Sequence, residues 1–120
     1  MLAAGLCAIC FATPAVAAAV ASKAATVAPT ATQRTAILKA FGERRAGWRC
    51  LVVRLAASNH NYATVRFVRS TRCRRWAFNG INVIKRKTDN HWKVLFEGSA
   101  YACPLARIPR QVQRDLRVCP

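Results

Sequence analysis

The chain predicts an α+β domain: an N-terminal helix on a four- to five-stranded antiparallel sheet, with a short C-terminal helix and two disulfides. Three observations predict it. One is a stretch with apolar residues at helical spacing, the second a series of alternating runs separated by turn residues, and the third an even set of cysteines in the part that must fold. The 120 residues leave room for one small domain, and 20 Lys and Arg against 4 Asp and Glu give a net charge of +16. The 53% apolar fraction overstates the core, because 13 of the 23 alanines precede Gln33.

Residues 1–21 read as a secretory signal peptide. Met1 to Ser22 carries no charged side chain, Leu2 to Val20 is apolar and alanine-rich, and Ala15-Val16-Ala17 and Ala19-Val20-Ala21 are small-residue cleavage triplets. The basic segment that usually opens such a peptide is absent, so either the Met1 amine serves alone or translation begins upstream. The alternative is an uncleaved membrane anchor, since about 20 apolar residues can span a bilayer, although alanine contributes little to insertion. Lipid attachment is not suggested, because Cys7 follows Leu6 and Cys10 follows Ile9 where a small residue is needed. Residues 22–32, rich in Ala and Thr, have the composition of a flexible leader, and 33–120 form the secreted domain.

Cleavage after Ala21 leaves Cys50, Cys73, Cys103 and Cys119, and an even count in a short exported chain points to two disulfides. Zinc is disfavoured, because no two of these cysteines stand two to four residues apart.

The elements follow in order. Thr32 to Phe41 offers a capping threonine, then Ala36, Ile37, Ala40 and Phe41 on one helical face, and Gly42 beyond the end. Leu51, Val53 and Leu55 alternate with Val52 and Arg54. Ala63, Val65 and Phe67 alternate with Thr64 and Arg66, and Ser58-Asn59-His60-Asn61 between the runs makes them a hairpin. That hairpin brings Cys73 within reach of Cys50, leaving Cys103 for Cys119. Ile81–Lys87 and His91–Gly98 flank Thr88-Asp89-Asn90, and pairing Lys85 with Trp92 would set Val83 against Val94 and Ile81 against Phe96. Asn79-Gly80 after Trp76-Ala77-Phe78 would add a fifth strand if it is a hairpin turn, or none if it is a bulge. Pro109 then opens a helix over Arg110–Val118 whose Val112 and Leu116 face the core. Each crosslink closes a loop of about 17 to 24 residues, worth on the order of 3 kcal/mol in the chain-entropy model.

The run from Cys73 to Cys119, with Asn79-Gly80, Trp92, Gly98-Ser99, Cys103-Pro104, Ile108-Pro109 and Asp115-Leu116, resembles small secreted proteins of actinobacteria. The resemblance spans the mature domain and implies export and disulfides. It brings no activity with it. A helix followed by a curved antiparallel sheet is also similar in outline to cystatin-like folds, and fold alone does not assign function.

Charge is the strongest functional signal. Arg44, Arg45 and Arg49 precede the first long strand, Arg69, Arg72, Arg74 and Arg75 follow the second, Lys85, Arg86 and Lys87 lead into a turn, and Arg107, Arg110, Arg114 and Arg117 lie near the end. Arg54, Arg66, Arg86 and Lys93 are expected to share the sheet face opposite the apolar strip. Such a surface favours a non-enzymatic binder of anionic polymers or surfaces, whether cell-wall polymer, lipid headgroups or nucleic acid, with Arg54, Arg66, Arg69, Arg72, Arg74, Arg75, Arg86 and Lys93 as the binding set. Fifteen of the 20 basic residues are arginine, a bias that a GC-rich genome also yields without selection for a ligand.

Two other classes compete. A small ribonuclease would use His60 and His91, with Glu97, for proton transfer and arginine for the phosphorane charge, although histidines in turns are ordinarily just solvated. Those histidines share one end of the sheet only in the four-strand arrangement, which a metal held by His60, His91 and Asp89 would also need. A protease-inhibitor-like domain would instead present the loop Leu105–Pro109 with Arg107 as bait. No cofactor-binding motif, G-x-S-x-G or H-E-x-x-H occurs.

Overall fold

In a computed structural model the described residues are 25–120, so the signal peptide expected over 1–21 lies outside them. A meander of strands builds the centre: β1 (Thr26–Val27), β2 (Leu51–Ala56), β3 (Tyr62–Phe67), β4 (Ile81–Thr88) and β5 (His91–Gly98) form one antiparallel sheet in that order. Helix α1 (Ala31–Phe41) lies between β1 and β2 in sequence, and α2 (Arg110–Asp115) follows the sheet. The α+β class, both helices and both disulfides are as the sequence predicts.

The start of the domain differs from expectation. Within the stretch read as a flexible leader, Thr26 and Val27 pair with Ala56 and Leu55 as an edge strand. Arg54 fastens that strand by donating from Nε to Thr26 Oγ1 at 3.0 Å. Helix α1 is capped by Thr30 rather than Thr32, in a reciprocal box where Thr30 Oγ1 accepts from Gln33 N and Gln33 Oε1 accepts from Thr30 N. Gly42, at φ 86, ends the helix by donating to Leu38 O.

The fifth strand is therefore β1, and Trp76–Phe78 is not a strand. Thr71–Trp76 is a 3-10 helix, as is Arg45–Cys50, and Asn79-Gly80 is not a hairpin turn. The β4–β5 register also departs from the simple alternation. Val83 opposes Phe96, Ile84 opposes Val94 and Arg86 opposes Trp92, because Leu95 and Lys87 are each left without a partner in bulges.

The sheet has two apolar faces, not one. Ile37 and Leu38 of α1 pack with Leu51, Val53, Leu55, Ala63, Val65, Ile84 and Trp92 on one side. On the other, Ala56, Tyr62 and Val83 are covered by Leu105, Ile108, Val112, Leu116 and Val118 of the C-terminal limb. The face expected to be polar is thus half core, and helix α2 stops at Asp115 rather than Val118.

Three polar side chains hold that limb. Buried Gln113 accepts from Leu105 N and donates to the carbonyls of Leu105 and Ile108, replacing the regular bonds the loop lacks. Arg66 donates to Leu116 O. Asp115, 6% exposed, accepts from the hydroxyl and backbone N–H of Ser58 in the β2–β3 turn. Burial alone would push its carboxyl upward, but the two Ser58 bonds, Gln111 and the nearby Arg114 outweigh it and hold the group below its ordinary value of 3.8.

Cys50–Cys73 ties the two 3-10 helices together across 23 positions, and Cys103–Cys119 closes the limb across 16. Each constrains the unfolded chain, so reduction is expected to lower the thermal midpoint by more than about 10 °C, a shift that calorimetry with and without reductant measures. The lowered Asp115 value means that its carboxylate stabilises the fold above the unfolded pKa, and that this contribution is lost as pH falls through the folded one. Asp115→Ala should cost about 1–3 kcal/mol near neutrality, and its stability should fall less steeply than wild type between about pH 5 and pH 3. Parallel melts across that range check both expectations.

Candidate anion-binding surface

The strongest concentration of uncompensated charge sits at the end of the sheet where β2 begins and β3 ends. There Arg45–Cys50 and Thr71–Trp76 pack side by side, joined by Cys50–Cys73. Each segment carries exposed arginines, and the tie merges Arg44, Arg45 and Arg49 with Arg69, Arg72, Arg74 and Arg75 into one platform. Their sequence neighbours supply only Glu43, whose Oε1 accepts from Arg44 N.

Two tryptophans give the platform its shape. Trp76 lies against Gly47, where a Cβ would stand 2.4 Å from Trp76 Cε3, so only glycine fits that approach. The guanidinium of Arg75 stands 5.1 Å from the Trp76 ring centroid and that of Arg44 5.9 Å, while Arg45 stands 5.3 Å from the Trp48 ring. These cation–π contacts hold the guanidiniums over aromatic surface and leave their edges open to water. Trp48 is itself fixed by donating from Nε1 to Glu43 O.

The predicted binding set divides. Arg69, Arg72, Arg74 and Arg75 belong to the platform, which also recruits Arg44, Arg45 and Arg49; only the pairing of Cys50 with Cys73 signalled their company in the sequence. Arg54 and Arg66 are anchors: Arg54 is half-buried on Thr26, and Arg66 holds Leu116 O. Arg86 and Lys93 are exposed on β4 and β5 but do not share a face, since Arg86 registers with Trp92 of the α1 side and Lys93 with Lys85 on the other. Lys85 in turn lies over the Tyr62 ring at 5.5 Å.

His60 and His91 lie at the opposite end of the sheet from the platform, in the β2–β3 turn and at the start of β5, both exposed. His91 borders a groove of about 700 Å3 between α1 and β5, lined also by Thr32, Thr35, Lys39 and Trp92. Glu97 pairs with Asn82 six strand residues beyond His91, about 20 Å along β5, too far to share a proton with it. Among the described residues no three His, Cys, Asp or Glu side chains are grouped to hold a metal ion.

Arg107, the bait of the inhibitor-like reading, has φ 64 and is left-handed rather than extended. Its loop is anchored by buried Leu105 and Ile108. Among the described residues no helix is long and apolar enough to cross a membrane.

Compared with protein-family models, curated proteins and solved structures, the chain matches none.

The platform depends on the close seat of Trp76. Gly47→Ala should displace that ring and cost about 1–3 kcal/mol, seen as a lowered melting temperature together with a shifted tryptophan emission. A variant that melts and fluoresces like wild type would show that Trp76 is not held there.

Proposed function

We propose that this is an exported, disulfide-stapled, non-enzymatic protein that binds phosphate-rich anionic polymers or surfaces through its arginine platform. The observation that carries the reading is the Cys50–Cys73 junction, which brings two acid-poor arginine segments from distant parts of the chain into one surface. A cluster of like charges destabilises a fold through self-repulsion, and a polyanion relieves that repulsion while releasing its own counterions. Arginine suits the task, because its planar fork matches phosphate oxygens and its charge persists at any physiological pH. Trp76 and Trp48 offer flat surfaces beside the forks, so unpaired bases or sugar rings can rest there, although the charge does not require them.

Export follows from the signal-peptide reading of residues 1–21 and agrees with two disulfides, which reducing compartments do not sustain. A cell-wall polymer, lipid headgroups and nucleic acid share the phosphate chemistry that the platform recognises.

Labelled RNA serves as the polyanion probe, mixed with oxidised protein at low and high salt and resolved on native and denaturing gels. The expected result is a native shift that disappears at high salt while the RNA stays intact. Neutralising Arg44, Arg72 and Arg75 together should reduce the dependence of log K on log salt by about one unit for each phosphate that then goes unneutralised. RNA fragments that vanish on His60→Ala or His91→Ala would replace this reading with the ribonuclease, and intact, unshifted RNA at low salt would remove the polyanion binder.

A further inference from the structure

Beside the platform, where β3 and β4 part, lies a cleft of about 200 Å3. The two strands pair only at Tyr62 with Lys85 and Ala63 with Ile84. Beyond that point the side-chain amide of Asn82 spans the gap to Val65, accepting from its N–H and donating to its carbonyl, each at 2.8 Å. The strands are thus held apart at a set distance instead of closing.

The walls of the opening have two kinds of chemistry. Phe67, Phe78 and Ile81 give it an apolar side, with the two phenyl rings edge to face at 5.5 Å. Arg66, Arg69 and Arg117 give it a cationic one, and no carboxylate lines it. These arginines come from β3, from the segment after β3 and from the turn after α2, so only the folded chain assembles them. Arg66 is pinned by its bond to Leu116 O, and the next residue, Arg117, is left-handed at φ 55. Gly80 also lines the cleft, at φ 89, a conformation that side-chain-bearing residues rarely adopt.

Three exposed arginines line this one small cavity with no carboxylate among them, and a multivalent anion seated there offsets their mutual repulsion. Each fork offers parallel N–H donors that suit the oxygens of a phosphoryl group, and arginine keeps its charge at any physiological pH. The volume exceeds what one such group fills, and the surplus lies against the apolar wall.

We infer that the cleft seats a single phosphoryl group between Arg66, Arg69 and Arg117, with the attached carbon skeleton resting on Phe67, Phe78 and Ile81. The inference rests on the anionic-polymer reading and names the chemistry of one defined site within it. The platform holds the polymer by diffuse charge, and the cleft holds one phosphate at a fixed place.

The test is a titration of the ¹⁵N-labelled, disulfide-intact protein at fixed ionic strength with inorganic phosphate and, separately, with phenyl phosphate. The expected result is a saturable set of shifts at the amides of Phe67, Gly80, Ile81 and Val118 and at the Nε–H groups of the three arginines. Phenyl phosphate should bind more tightly than inorganic phosphate, because only it places apolar surface against the wall; equal affinities would overturn the placement of the carbon skeleton. Arg117→Asn, which tolerates the left-handed backbone, should weaken binding roughly tenfold, and Arg69→Gln should act similarly, while Arg75→Gln on the platform leaves it unchanged. Melting curves establish that each variant folds.

Shifts that never saturate, or an equal loss of affinity in Arg75→Gln and Arg117→Asn, would overturn the cleft as a site. So would undetectable phosphate binding by a protein that still shifts RNA, and that result would leave the platform standing. Failure of the wild-type protein to shift RNA at low salt would count against the broader reading instead.

Discussion

The side chain of Asn82 does the work of a peptide group. It is 1% exposed, and its amide exchanges two hydrogen bonds with Val65 in the manner of a neighbouring strand. Thr64 Oγ1 adds contacts as a donor to the Asn82 side-chain Oδ1 at 3.2 Å and to its main-chain carbonyl at 2.9 Å. An amide left without partners at that depth would be costly, so the residue is tolerable only because every one of these bonds is made. Its reach sets how far β3 and β4 diverge, and that divergence separates the two halves of the sheet at the end where the arginines gather. The hairpin β2–β3 continues into the disulfide-bound platform, while β4–β5 continues into the limb that covers the second face.

Small domains are short of apolar area, and this one compensates by using both sides of its sheet. Helix α1 supplies a conventional layer on one side. The other is covered by a limb with little regular structure of its own, whose backbone Gln113 and Arg66 satisfy in part and which Asp115 ties to Ser58 of the β2–β3 turn. Polar side chains therefore act here as parts of the core, and several arginines belong to that internal structure. Arg34 donates to the carbonyls of Trp48 and Leu51, and Arg54 to Thr26, so the net charge overstates what is free for a ligand.

Much of this was legible from residue order. The four long strands announce themselves by alternation between turn residues, and the proximity of Cys50 to Cys73 follows from the hairpin between them. Other features depend on long-range geometry that periodicity does not carry. Thr26–Val27 is too short to show alternation and exists as a strand because β2 offers it an edge. The bulge at Lys87 changes which residues of β4 and β5 share a face, which is why Arg86 and Lys93 part company. Asn82 looks like any polar residue in a strand, and its role is visible only once its neighbours have diverged. Arg66, Arg69 and Arg117 could be named as basic residues, but nothing in their spacing brings them to one cleft.

Strand β5 closes the sheet on its outer side, so the alternate N–H and C=O groups of its eight residues that point away from β4 have no strand partner. An uninterrupted strand of that length is a template on which a second, unfolded chain can add itself. The bulge at Leu95 breaks its regular spacing midway, and Lys93 and Glu97 place opposite charges on either side of the break. A second chain attempting to extend the sheet would lose its register at Leu95 after only a few residues. The irregularity that disturbs β4–β5 pairing thus also keeps crowded copies of a sparsely cored protein from joining edge to edge.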